Sequence, residues 1–184
     1  RFTLQPNIKF HDGSALTSAD VKASFDRLRN PPPGVVSLRQ GMLADIAAID
    51  APDPQTVVVR FARRHAAALQ QLAMPFACIY SAKLMAADPS YPGKRVMGTG
   101  PFRFVARTAD TVELRAFDDY YLGRPHLDRV VLREIPEATV RVLELRKGSV
   151  QLVVNALPPD VVPLFRADPN FQVPTATGSN YVYL

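Results

Sequence analysis

Tryptophan is absent from the 184 residues, and cysteine occurs once, at Cys78. One thiol excludes an intrachain disulfide and a cysteine-built metal cluster, and it leaves the redox compartment open. Among the apolar neighbours of Met74-Pro75-Phe76-Ala77-Cys78-Ile79-Tyr80, that thiol reads as a small core residue. Histidine is nearly as scarce. His11, His65 and His126 fall in different predicted elements, with neither an H-E-x-x-H nor an H-x-x-E-H spacing, so no metal site is expected. Long runs of one charge are missing too. Lysine and arginine total 22 against 17 acidic residues, a net +5, but the basic residues are scattered. They read as solvated surface and not as a nucleic-acid patch. The longest stretch without Asp, Glu, Lys or Arg, residues 65–82, carries two glutamines and a proline, which argues against a membrane span.

Nucleophilic catalysis lacks its landmark, since no G-x-S-x-G elbow occurs, and Ser179 after Gly178 runs on into a strand-like segment. Gly98-Thr99-Gly100 superficially resembles a phosphate loop. It lacks the third glycine and the Lys-Ser/Thr pair, and Pro101-Phe102-Arg103-Phe104 continues it as a strand instead of a helix. Glycine there is expected to supply positive φ and tight packing. No internal repeat and no signal peptide is visible, and neither end reads as a natural terminus, so a fragment of a larger protein is expected.

What is present is an ordinary globular composition, 47% hydrophobic and 21% charged, punctuated by seventeen prolines that cluster between periodic segments. The organising stretch is residues 8–29. An extended segment reaches a polar turn at Asp12-Gly13-Ser14, and a helix then starts at Thr17 or Ser18 with Asp20 in its first turn. Val21, Phe25 and Leu28 make its apolar stripe, Lys22, Asp26 and Arg29 its other face, and Pro31-Pro32-Pro33-Gly34 ends it. Strands are expected at 42–50 and 56–62 as a hairpin, and at 76–80, 102–107, 111–117, 130–133, 150–154, 171–175 and 181–184. Helices are expected at 65–72, at 81–87 capped by Ser81, from Pro136 through Lys147, and at 159–166. Irregular alternation of this kind gives an α/β or mixed α+β sandwich.

A strand ending in Lys9-Phe10-His11-Asp12-Gly13, then Thr17-Ser18-Ala19-Asp20-Val21 and a helical Phe25-Asp26-Arg27-Leu28, resembles the signature of the bacterial extracellular solute-binding proteins of family 5. These are the oligopeptide-, dipeptide- and nickel-binding subunits of ABC importers. Three further stretches are similar to that family in the same order. Gly98-Thr99-Gly100-Pro101-Phe102 resembles its G-T-G-P-Y/F turn. Residues 119–130 resemble a Y-W…P…D segment leading into a strand, with Tyr121 where the family usually has Trp. Residues 135–148 resemble an I-P…R…L…G helix, followed here by Gln151 where a carboxylate is usual.

The resemblance implies a periplasmic-binding-protein-like type II fold of the large peptide-binding cluster, as a partial chain with mixed β-sheets flanked by helices. It implies a smaller lobe at 1–80, part of the main α/β lobe at 81–177, and at 178–184 the start of a hinge strand to a second lobe. A monomer without cofactor, metal or nucleic-acid partner would clasp a small solute, a peptide by default, and deliver it to ABC permease subunits from the periplasm, or from the cell exterior as a tethered lipoprotein. The positions it points to for ligand contact are Asn155, Gly178, Ser179, Asn180, Tyr181, Tyr183, Gly34 and Val35. A turn role for Asn155 and sheet packing for the two tyrosines are the plain alternatives. The same fold behind a winged-helix domain, as a cytoplasmic metabolite sensor of a transcriptional regulator, is the other functional class. Catalysis is not expected in either.

Overall fold

The computed structural model describes residues 1–88, 91–93 and 95–176, which form two compact units, Arg1–Leu132 and Arg133–Leu184. The strand expected at 181–184 lies outside the described residues.

In the first unit, β1 (Phe2–Thr3), β3 (Thr56–Phe61) and β2 (Ile46–Asp53) make an antiparallel sheet in the order β1-β3-β2. Helix α1 (Ser18–Arg29) covers it. Val21 and Phe25, one turn apart on α1, meet Ile46 and Ile49 of β2, Val57 of β3 and Leu43 of a short 3-10 turn (Gln40–Leu43) in one buried cluster, with Leu28 packed against its edge. On β2 the two buried residues are three apart, because an irregularity between Ile46 and Ala48 shifts the strand's alternation. Two short helices follow, α2 (Ala68–Leu72) and α3 (Ala82–Ala87), and the hydroxyl of Ser81 accepts from the Leu84 amide at 3.4 Å, the cap expected of it.

A second three-stranded sheet, β4-β5-β6, comprises β4 (Phe102–Arg107), β5 (Thr111–Ala116) and β6 (Arg129–Arg133). The β4–β5 hairpin is antiparallel, with Phe102 opposite Ala116 and Arg103 opposite Arg115.

In the second unit, α4 (Ala138–Lys147) ends at Gly148 in the left-handed conformation, φ 80°. Helix α5 (Val162–Ala167) buries Phe165, whose ring meets Phe171 edge-on at 4.8 Å.

Three expected strands do not form, for one reason: their backbone groups find partners other than a neighbouring strand. The Tyr80 amide, at the end of the 76–80 run, donates to the Ser24 hydroxyl on α1. Val150 N donates back to Glu144 O, which folds the start of the 150–154 run onto the end of α4, and the Gln151 side-chain amide adds a bond to Gly148 O. At the start of 171–175, Phe171 donates to Asp168 O. Cys78 is exposed and not a core residue, with Sγ 3.0 Å from Pro75 O. Gly98 and Gly100 do not take positive φ; Gly13, Gly34, Gly123 and Gly148 do.

Candidate functional site

Helix α1 carries more than its apolar stripe. Both Asp20 carboxylate oxygens are used: Oδ2 accepts from the Thr17 amide (2.8 Å) and hydroxyl (2.9 Å), and Oδ1 accepts from the Ala82 amide (2.8 Å). A carboxylate only 7% exposed is satisfied here by charge-assisted bonds, so it stitches its own helix start to the start of α3. One turn on, the Ser24 hydroxyl bonds Tyr80 at both N and O, while Ser18 donates to Asp53 O and Pro54 O at the β2–β3 turn.

Ahead of α1, the Asp12 carboxylate accepts from the Ser14 amide and hydroxyl (3.0 and 2.6 Å). The hydroxyl bond, more than anything else, holds that carboxyl below its usual range. The turn it closes aims His11 at the glycine turn. Nδ1 lies 3.3 Å from the Gly98 amide, Nε2 lies 3.0 Å from Gly100 O, and the ring edge meets Phe117 at 5.1 Å. An N–H must donate and a carbonyl must accept, so the pair of contacts assigns the proton to Nε2. Lys9 adds an ion pair to Asp119 at 2.8 Å. The glycine turn is therefore a docking point for His11; a Cβ built on Gly98 would stand 3.7 Å from the imidazole, in ordinary contact.

Gly34 and Val35 sit together in a solvent-facing loop, residues 31–39. Gly34 has φ +80°, the Val35 amide closes a turn onto Pro32 O, and Val36 and Leu38 are 84% and 89% exposed. The loop is anchored at its far end, where Arg39 lies 5.3 Å over the Phe76 ring and Gln40 donates to Arg29 O.

Asn155, in the second unit, is exposed with φ 51°, a conformation Asn tolerates better than most residues, and the strand it was expected to cap does not form. Its loop is positioned by Arg141, which donates from Nε to Ala156 O (2.8 Å) and from Nη1 to Ile135 O and Pro136 O (both 2.6 Å). Arg141 is the arginine of the I-P…R…L…G pattern, and that pattern was the signal for it. The importance of His11 had no such signal. Gly178, Ser179, Asn180, Tyr181 and Tyr183 lie outside the described residues.

One arrangement resembles half of a catalytic triad. His65 Nδ1 is 3.0 Å from Asp45 Oδ2, and Arg63, bound to the same carboxylate at 2.8 Å, is the main reason the Asp45 carboxyl is held below its usual range. The other imidazole nitrogen, however, is taken by Gln71 Oε1 at 2.9 Å, where a nucleophile would have to stand. Among the described residues no three His, Cys, Asp or Glu side chains gather as a metal site.

The model of the bacterial extracellular solute-binding proteins, family 5 Middle, matches residues 1–184. Among curated relatives, the di/tripeptide-binding protein 4 of Pseudomonas aeruginosa is 33% identical over 94% of this chain and 36% of its own length. The heme-binding protein A of Haemophilus influenzae is 31% identical over 100% of this chain and 37% of its own. The chain thus spans about a third of the length of the curated relatives it matches. Among solved structures, the binding protein AgaA of A. tumefaciens R10, in complex with agropinic acid, superposes with a TM-score of 0.80 at 30% identity, covering 92% of this chain and 36% of that one.

Proposed function

Because the chain belongs to the bacterial extracellular solute-binding proteins of family 5, we propose that the whole protein is the substrate-binding component of an ABC-type importer. It takes a small solute, a peptide by default, between two lobes and presents it to a membrane permease from the periplasm or the cell exterior. Residues 1–80 belong to the smaller lobe and 81–177 to the main lobe. The observation that carries the reading is the family match along the entire chain, motif by motif in one order. The relatives' printed ligands, a di- or tripeptide, heme and agropinic acid, differ widely, so the family constrains the clasp more tightly than the solute.

In the first unit the 31–39 loop offers apolar contact through Val35, Val36 and Leu38; in the second, Asn155 is an exposed amide next to Ala156, whose carbonyl Arg141 holds. Neither does chemistry on the solute. A ligand touching both lobes favours the closed population by its differential affinity. The test is calorimetry on the full-length protein against di- and tripeptides, hemin and opine-type conjugates, with small-angle scattering on the same samples. One class should bind saturably and shrink the radius of gyration, and Asn155→Ala should weaken that ligand about tenfold. Saturable binding with no compaction, or turnover of the bound compound, overturns the proposal.

A further inference from the structure

The outward face of the second sheet holds an arrangement the solute reading does not use. Arg103 on β4 stands directly opposite Arg115 on β5, both exposed. Side chains so paired have Cβ atoms about 5 Å apart, and like charges there destabilise the hairpin. Neighbouring acids neutralise most of the rest. Arg129 on β6 bonds Glu113 at 2.9 Å, and Arg115 shares that carboxylate at 3.5 Å. Arg124 is held between Asp118 (2.8 Å) and Asp128. Among the described residues Arg103 has no acidic partner. Four guanidinium groups, at 103, 115, 124 and 129, face three carboxylates, at 113, 118 and 128, and the uncompensated charge falls at the Arg103–Arg115 pair. That pair borders an open recess of about 370 Å³ lined also by Arg129 and by Arg124 with its two carboxylates, Asp118 and Asp128.

We propose that this face docks a partner protein through an acidic segment, a carboxylate of which enters between Arg103 and Arg115 and forms forked hydrogen bonds with them. The surroundings favour a protein segment over a free anion. Of the residues lining the recess only Ala116 is buried, so a small ion would remain hydrated there. Val131, two residues along β6 from Arg129 and so on the same face, is 42% exposed and offers apolar contact next to the charge. Arginine is among the residues enriched at protein interfaces. The proposal is independent of which solute the clasp takes.

The test uses the full-length binding protein and a carrier protein displaying an extended Val-Glu-Val-Glu-Val segment, too bulky to enter a solute cleft. At low ionic strength the Glu segment should bind about tenfold more tightly than its Gln counterpart, and Arg103→Glu with Arg115→Glu should abolish that difference, whereas Arg64→Glu, an exposed site elsewhere, should not. Equal binding of the Glu and Gln segments, equal loss with Arg64→Glu, or displacement by succinate at the concentration of the segment each overturns the proposal. A second readout needs no folded variant. A dicarbonyl reagent should modify Arg103 in the free protein, and the Glu segment should shield it; an Arg103 that is unreactive, or reactive and unshielded, overturns the proposal equally.

Discussion

The first unit contains two sheets of three strands each, and they are stabilised in different ways. The β1-β3-β2 sheet is covered by α1, and every buried member of the core cluster belongs to that sheet, to α1 or to the adjoining turn. The β4-β5-β6 sheet keeps Phe104 and Leu114 only half-buried, leaves Val105, Val131 and Leu132 exposed, and carries the arginine face. One sheet buries its apolar side under a helix; the other fully buries only Ala116 among its strand residues and carries ion pairs on an exposed face. Where a helix covers a sheet, sequence choice is constrained by volume; on an exposed face it is not.

The contrast is broken or sharpened by stability measurements on the full-length protein. Phe25→Ala should cost about 3–5 kcal/mol, against about 1–2 kcal/mol for Phe104→Ala, read as shifts in the urea midpoint at constant slope. Equal costs would erase the distinction between the sheets. Asp20→Asn removes the charge from two helix starts at once and should cost about 2 kcal/mol, with faster hydrogen exchange at the Ala82 amide. An unchanged Ala82 would mean that the Asp20 stitch is incidental.

His11→Ala tests the seam between the corner and the second sheet. It should cost about 1–2 kcal/mol and speed exchange at the Gly98 amide, while amides of β2 and β3 stay protected. The smallest effect is expected with acid. Asp12, Asp45 and Asp53 all have carboxyls held below 3.8, chiefly by the Ser14 hydroxyl, by Arg63 and by the Gln55 amide respectively. A depressed folded-state value stabilises the fold above the unfolded value and loses that contribution as pH falls through the folded one. These groups are mostly solvated, so the first unit should lose only modest stability, and only below pH 3.8. Loss beginning near neutrality would point to other groups.

The covered sheet was the legible one. Val21, Phe25 and Leu28 announced their face by spacing alone, and the Thr17–Asp20 pair announced the helix start. Periodicity fails where the partner is remote in the chain. The 76–80 run is as β-prone as a strand, yet its Tyr80 end bonds a serine 56 residues away, which no local pattern encodes. Of the candidate ligand contacts, the turn character of Gly34 and Asn155 could be read from residue type, because their backbone angles follow from it. Arg141 was marked by the I-P…R…L…G pattern, but His11 acts on the backbone of a segment 87 to 89 residues away, and no local pattern encodes that.

Helix α1 holds the chain at two separated places, at Asp53–Pro54 through Ser18 and at Tyr80–Ala82 through Ser24 and Asp20. A span pinned at both extremities pays only a logarithmic entropy penalty for extra residues. Between them β3 is committed to its sheet, and Arg63, His65 and Leu72 are tied to Asp45 and the core edge, but residues 66–70, with Leu69 exposed, are not. Length variation among relatives should therefore accumulate around residues 66–70, leaving the bracket and everything downstream of Ala82 undisturbed.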